Sequence, residues 1–276
     1  MAKPTKKIIP EPIVVETTPS VDNTSTGLFD RKWLPEALLI AAAFVVYALS
    51  LNNGLVYFDD DKAILYNHAL QNPSLGKFFT GQNLGMYAPL TWIAYWIGSL
   101  ISGQEAFGYH LLALICHATS SVLVFNILKT LGGRSWLAFF CALLFTVHPI
   151  QVEAVSWAAA LSTVLYAAFY LGSYRAYLNF ANATEKGTPT LPWIVLSLVL
   201  FMASVLSKSA AVTLPVLLVA TDFLFYKKLM GKLWTSKILY FILALGFGYY
   251  TFVTREAEGH DIALSSAAFT LADRFL

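Results

Sequence analysis

Long apolar runs separated by short polar breaks dominate this chain, and they predict a bundle of membrane-spanning helices. Seven runs read as spans: residues 34–51, 109–128, 136–147, 155–178, 191–206, 210–226 and 234–253. A helical span needs about 20 residues, so the third and fifth are short. Their ends are expected to dip into a cavity or to meet a thinned membrane. Residues 89–101 carry Trp92, Tyr95 and Trp96, too short and too aromatic for a span. They predict an amphipathic helix lying in the outer interface.

Lysine and arginine give the runs an orientation. With the N-terminus inside, 13 of the 18 cations fall on inner segments. The outer five are Lys62, Lys77, Lys208, Arg255 and Arg274. That is the bias expected of inner loops. It puts Asp59, Asp60 and Asp61, the turn at residues 148–153 and the turn at Lys208 on one outer side. Residues 1–32 hold several Lys, Pro and Thr without an apolar period, and predict a disordered cytoplasmic tail. Residues 33–276 are expected to form the membrane module. Its abrupt end after an odd number of spans reads as a module cut short at its C-terminal side.

Composition agrees with this class: 57% of residues are hydrophobic and 12% charged, against about 25% charged in soluble domains. The net charge of +2 argues against a nucleic-acid partner. Cys116 and Cys141 lie inside apolar runs and read as free thiols. Asn23-Thr24-Ser25 and Asn182-Ala183-Thr184 match a glycosylation pattern. Both fall on the inner side and are set aside.

The polar residues that break the apolar pattern are the candidates for chemistry. Asp59, Asp60 and Asp61 follow the first span at once, and three adjacent carboxylates repel one another. Their plain reading is a solvated loop; their sharper reading is a general base for an acceptor hydroxyl. His148 and Glu153 flank Pro149 at the break between the third and fourth spans. Such a break belongs where it lines a cavity, and the pair suits a phosphate, a metal or a sugar hydroxyl. The alternative is helix capping, with Glu153 favoured by the helix dipole. Lys208, between Ser207 and Ser209, is a lone outer cation that suits a lipid-linked phosphate or snorkels to headgroups. His110 and His117, seven residues apart, share one helix face. Asp222 reads as structural. The chain carries no phosphate-cradling glycine loop and no CxxC, and lacks the paired broken helices of a transporter.

In order along the chain come Phe58-Asp59-Asp60-Asp61 with Asn67, Pro89-Leu90-Thr91, and Gly108-Tyr109-His110 with His117. His148-Pro149 with Glu153-Ala154-Val155 follows, then Ser207-Lys208 with Leu214-Pro215 and Asp222. This series resembles the membrane module of the transmembrane, tetratricopeptide-repeat-containing O-mannosyltransferases and their bacterial relatives, of the GT-C superfamily. The resemblance implies an all-α membrane fold, a GT-C-like bundle of about seven transmembrane helices with an outer interfacial helix in the first loop. It also implies transfer of a mannose-like sugar from a polyprenyl- or dolichyl-phosphate donor to a protein hydroxyl on the outer face.

By the same resemblance Asp59 or Asp60 is the catalytic base. Asp61, His110, His148, Glu153, Lys208 and Arg274 line the donor cavity. No cofactor is called for, and a divalent metal is left open. The implied partners are the lipid-linked sugar, a protein acceptor, membrane lipids, and a repeat domain or partner chain supplied separately. The setting is a bacterial inner membrane, or the endoplasmic reticulum if eukaryotic. The sequence departs from the family's pattern at Ala88, at Gln151 and at the uncharged Ala160-Leu161-Ser162-Thr163. A membrane subunit that keeps the fold without the chemistry is therefore the rival expectation, and a transporter the third.

Overall fold

Proline opens four of the helices, where its missing N–H goes unneeded and its fixed φ suits the first turn. Pro35, Pro89, Pro192 and Pro215 hold these positions. The computed structural model describes residues 33–81, 87–227 and 230–258, so the expected tail and Arg274 lie outside them. Among the described residues the fold is all-helical. α1 (Leu34–Tyr47) runs on as a 3-10 turn, Ala48–Asn52. After an extended loop come α2 (His68–Gln71), α3 (Leu75–Thr80), α4 (Pro89–Ser102), α5 (Phe107–Thr130) and α6 (Ser135–Val147). α7 (Gln151–Ser156), α8 (Leu161–Lys186), α9 (Leu191–Ser207), α10 (Leu214–Phe225), α11 (Met230–Trp234) and α12 (Ile238–Glu258) complete them.

Among the described residues two helices are long and apolar enough to cross a membrane, Leu34–Asn52 and Phe107–Thr130. Ser135–Val147 and Leu191–Ser207 are apolar but shorter, as their runs implied. The fourth apolar run differs from its sequence expectation. It breaks into α7, a 3-10 turn at Ala158–Ala160, and α8, which then continues to Lys186. Gly187 ends α8 with φ +68, the left-handed stop that glycine adopts without penalty.

α5 is the central helix, packed against α1, α4, α6 and α8, while α8 also packs along α9. The α4–α5 approach depends on two glycines. A Cβ on Gly108 would lie 2.4 Å from the Gly98 carbonyl oxygen, and one on Gly98 would lie 2.6 Å from the Tyr109 ring. Because the first obstacle is backbone, Gly108→Ala is expected to push the helices apart. The cost is about 1–3 kcal/mol, read as a fall in melting temperature in detergent micelles. α8 and α9 are joined by reciprocal hydroxyl bonds. Ser173 Oγ donates to the Ser197 carbonyl at 2.7 Å, and Ser197 Oγ donates to the Ser173 carbonyl at 2.8 Å. Small hydroxyl residues let such backbones approach closely.

α4 packs inward more than an interfacial ribbon requires, burying Pro89, Thr91, Trp92, Ala94, Tyr95 and Gly98. Trp92 and Tyr95 join Tyr47, Tyr109, Leu114 and Leu161 in one core cluster. A second cluster, at the other end of α8, gathers Tyr177, Leu178, Phe201, Leu214 and Tyr240. There Asp222 has the structural role expected of it. It forms a buried ion pair with Lys237 and accepts from Tyr177 Oη at 3.0 and 2.9 Å.

Candidate active site

The first long loop is tied to the bundle by Asp60. After the 3-10 turn that ends α1, the chain is extended at Asn53 (φ −68, ψ 144). A turn through Tyr57 and Phe58 then leads to a π-helical turn, Asp61–Leu65. Asp60 is buried at 1% exposure. Its Oδ2 accepts the Val56 N–H at 2.9 Å and its Oδ1 accepts the Ala159 N–H at 2.7 Å. Tyr95 Oη donates to the Ala159 carbonyl at 2.8 Å, so one peptide segment is held from both sides. The three alanines of the 158–160 turn are all buried, and side chains this small let the loop lie directly on them. Burial raises the Tyr95 pKa, as do the nearby Asp60 and Asp59 charges, so its hydroxyl stays a donor.

Asp60 and Glu153 face one cleft of about 530 Å³, lined also by Asn53, Gly54, Val56, Phe58, Ser156 and Trp157. α7 supplies Glu153, which is exposed. The Phe58 and Trp157 rings meet across the lining, with centroids 5.9 Å apart. The Trp157 indole N–H is buried without a hydrogen-bond partner. Asp59 is half-buried, and its carboxylate makes no hydrogen bond among the described residues. Asp61 is half-buried too, with Oδ1 enclosed and unpartnered.

Lys208 stands where α9 ends. Its ammonium donates to Thr163 Oγ1 at 2.8 Å and lies 6.0 Å from the centre of the Tyr166 ring. Thr91 Oγ1 donates to the Ser207 carbonyl at 2.8 Å and so anchors that corner to α4. Burial lowers the Lys208 pKa, and the Glu153 carboxylate partly restores it. Because Thr163 is a neutral partner, the Lys208 charge is only partly balanced. The uncharged stretch noted in the sequence thus supplies the hydroxyl that holds this cation.

The histidines divide. His110 is buried at 1% exposure beneath the loop, within electrostatic reach of Asp60, and neither ring nitrogen has a well-formed hydrogen bond. His117 is buried deeper, its Nε2 2.9 Å from the Thr146 carbonyl. His148 is exposed; its Nδ1 accepts the Ile150 N–H at 3.2 Å, and it does not line the cleft.

The fold therefore sets Asp60 and Glu153 on one cleft, with Lys208 within electrostatic reach of Glu153 and His110 below; Asp59, next to Asp60 in the chain, is not among the described residues of that lining. His148 stands at the edge. Sequence reasoning missed Phe58 and Trp157 as lining, Thr163 as the lysine's partner and Tyr95 as a support. The tryptophan had a local signal, since it closes the run Glu153-Ala154-Val155-Ser156-Trp157. Among the described residues no three His, Cys, Asp or Glu cluster as metal ligands. Carboxylates beside a partly balanced cation suit a reaction that takes a proton from one group and releases an anion to another.

Comparison with known proteins bears on this arrangement. No family model matches the chain, and no solved structure does. Curated relatives do match. The chain is 31% identical over 218 residues to "Protein O-mannosyl-transferase Tmtc2" of Drosophila melanogaster, covering 74% of this chain and 23% of that protein. It is 30% identical over 200 residues to "Protein O-mannosyl-transferase TMTC4" of Homo sapiens, covering 63% of this chain and 27% of the relative. It is 32% identical over 189 residues to "Protein O-mannosyl-transferase TMTC3" of Mus musculus, covering 64% and 20%. The chain spans about a quarter of the length of these relatives. It is a homologue of the TMTC-named protein O-mannosyl-transferases, as its motifs implied.

Proposed function

We propose that this chain is the membrane module of a glycosyltransferase. It moves a mannose-like sugar from a polyprenyl- or dolichyl-phosphate donor to a protein hydroxyl. The observation that carries the reading is the cleft shared by Asp60 and Glu153, with the Lys208 ammonium within electrostatic reach of Glu153. The names of the homologues point the same way. In this reading Asp59 takes the acceptor's hydroxyl proton while the acceptor oxygen bonds to the sugar's anomeric carbon. The bond from that carbon to the phosphate oxygen breaks, and its electron pair leaves on the lipid phosphate, which Lys208 meets. Asp60 is the positioning carboxylate: both its oxygens hold backbone N–H groups, so it accepts a proton only by releasing one of them.

The seven-span, GT-C-like bundle with its N-terminus in the cytoplasm belongs to the same proposal, as does the outer-interface placement of α4. Exposed apolar side chains support membrane insertion, among them Val45, Leu49, Leu144, Val199 and Leu245. His148, Asp61 and Arg274 are proposed to complete the donor side, with His110 supporting it from beneath the loop. One observation favours the rival, non-catalytic subunit: the best-placed acid of the cleft, Asp60, is committed to holding the loop.

Binding of polyprenyl phosphate, with neutral polyprenol as control, tests the reading. Lys208→Met is expected to weaken phosphate binding about tenfold and leave polyprenol unchanged. The pH dependence has a definite sign. Lys208 is cationic below its pKa and neutral above it, and burial lowers that pKa. Binding by the wild type should therefore fall with rising pH at lower values than for an ordinary lysine. Lys208→Arg should hold its affinity through that range. Equal binding of phosphate and polyprenol would overturn the assignment.

A further inference from the structure

The loop at the cleft is a rib between two clefts. Val56 and Phe58 face the cleft that holds Asp60 and Glu153, whereas Leu55 and Tyr57 face a second cleft of about 450 Å³. Leu55 and Val56 part to opposite sides as neighbours in extended chain do, and the turn at Tyr57 and Phe58 keeps one ring on each side. Asn53 and Gly54 line both clefts. At Gly54 the rib is low, for a Cβ built there would meet nothing within 4 Å.

The far wall of the second cleft is the turn between α4 and α5, carrying Gln104 and Glu105. That wall is fixed. Ser102 Oγ donates to the Glu105 carbonyl at 2.6 Å, and Tyr109 Oη donates to the Gly103 carbonyl at 3.0 Å. Asn52, Asn53 and Gln104 bring amides to the lining, and Glu105, which is exposed, is the one charged residue among its described members.

We propose that the second cleft is the acceptor-polypeptide subsite. An extended peptide lies in it and crosses the rib at Gly54, presenting its hydroxyl in the Asp60–Glu153 cleft. Glu105 selects a basic residue beside that hydroxyl. The proposal rests on the glycosyl-transfer reading and adds where the acceptor lies and what it carries. Amides that both donate and accept suit a peptide backbone. The Glu105 carboxylate repels anionic headgroups and favours a cationic side chain. The exposed Tyr57 ring offers an apolar platform between the two clefts.

The test reads peptide binding with no donor present. Two fluorescein-labelled decapeptides, each with one central threonine, carry either arginine or glutamate beside it. Anisotropy is measured with the purified chain in detergent. The arginine peptide is expected to bind about three- to fivefold more tightly, the scale of an exposed charge pair. Glu105→Gln should erase that preference. Gly54→Trp should fill the crossing and weaken both peptides about tenfold, with the melting temperature unchanged because the site is open. The proposal is overturned if neither peptide binds, if the preference survives Glu105→Gln, or if Gly54→Trp binds like the wild type. Peptides that bind as expected but never receive a sugar would leave the subsite standing and remove the transfer reading. Transfer that ignores both substitutions would do the reverse.

Discussion

Asp59→Asn is expected to lower the rate of sugar transfer by about 10²–10⁴-fold, the usual worth of a positioned general base. The change is nearly isosteric, and the asparagine cannot take up a proton. Its carboxylate makes no hydrogen bond among the described residues, so the melting temperature should stay at the wild-type value. Asp60→Asn should behave differently. Asp60 accepts two backbone N–H groups, from Val56 and Ala159, at positions four and ninety-nine residues away. An amide there turns one donor toward another donor, leaving a buried N–H unmet at a cost of about 1–3 kcal/mol. Its signature is a lower melting temperature together with a partial loss of rate. A stable but inactive Asp60→Asn beside a fully active Asp59→Asn would exchange the two roles.

The second large effect lies far from the cleft. Asp222 and Lys237 are 1% and 2% exposed and pair directly, with Tyr177 Oη donating to both carboxylate oxygens. Lys237 also donates to the Leu233 carbonyl at 2.9 Å and lies 5.3 Å from the centre of the Tyr177 ring. Asp222→Ala leaves that ammonium enclosed without its counter-charge, and breaking a buried pair costs about 3–5 kcal/mol. The loss is measured as a shift in the unfolding midpoint in mixed micelles. Replacing both partners together, Asp222→Leu with Lys237→Met, should recover most of it, because no charge is then left buried. A single substitution that barely moves the midpoint would show that water reaches the pair. Asp222 lies on α10 at the end away from Lys208, so peptide and donor binding by the folded variant should be unchanged.

What the sequence revealed and what it hid have physical reasons. The helices at Leu34–Tyr47, Phe107–Thr130, Ser135–Val147 and Leu191–Ser207 were legible because apolar runs were bounded by Pro, Gly and charge. The break after Ser156 was not, since residues 155–165 carry no charge, Pro or Gly to mark it. At that break Asp60 takes the Ala159 N–H, a contact between residues ninety-nine apart that no local pattern carries. Glu153 was expected near the head of the long fourth helix, whereas it lies on a separate short one. His110 was read as lining a cavity, whereas it is sealed beneath the loop. The Asp222–Lys237 pair was within reach of the sequence. Two opposite charges stood in apolar runs, and such charges seek each other. The count of inner cations hid that lysine among the others.

Transfer of a sugar at this end of the bundle is open to direct measurement. The most direct measurement is the mass of a threonine-containing acceptor peptide after incubation with the purified chain and polyprenyl-phosphate mannose. The expected result is a product one hexose heavier, formed by the wild type and absent with Asp59→Asn. A folded chain that binds polyprenyl phosphate yet adds no hexose to any acceptor would contradict it and leave a membrane subunit that kept the fold without the chemistry.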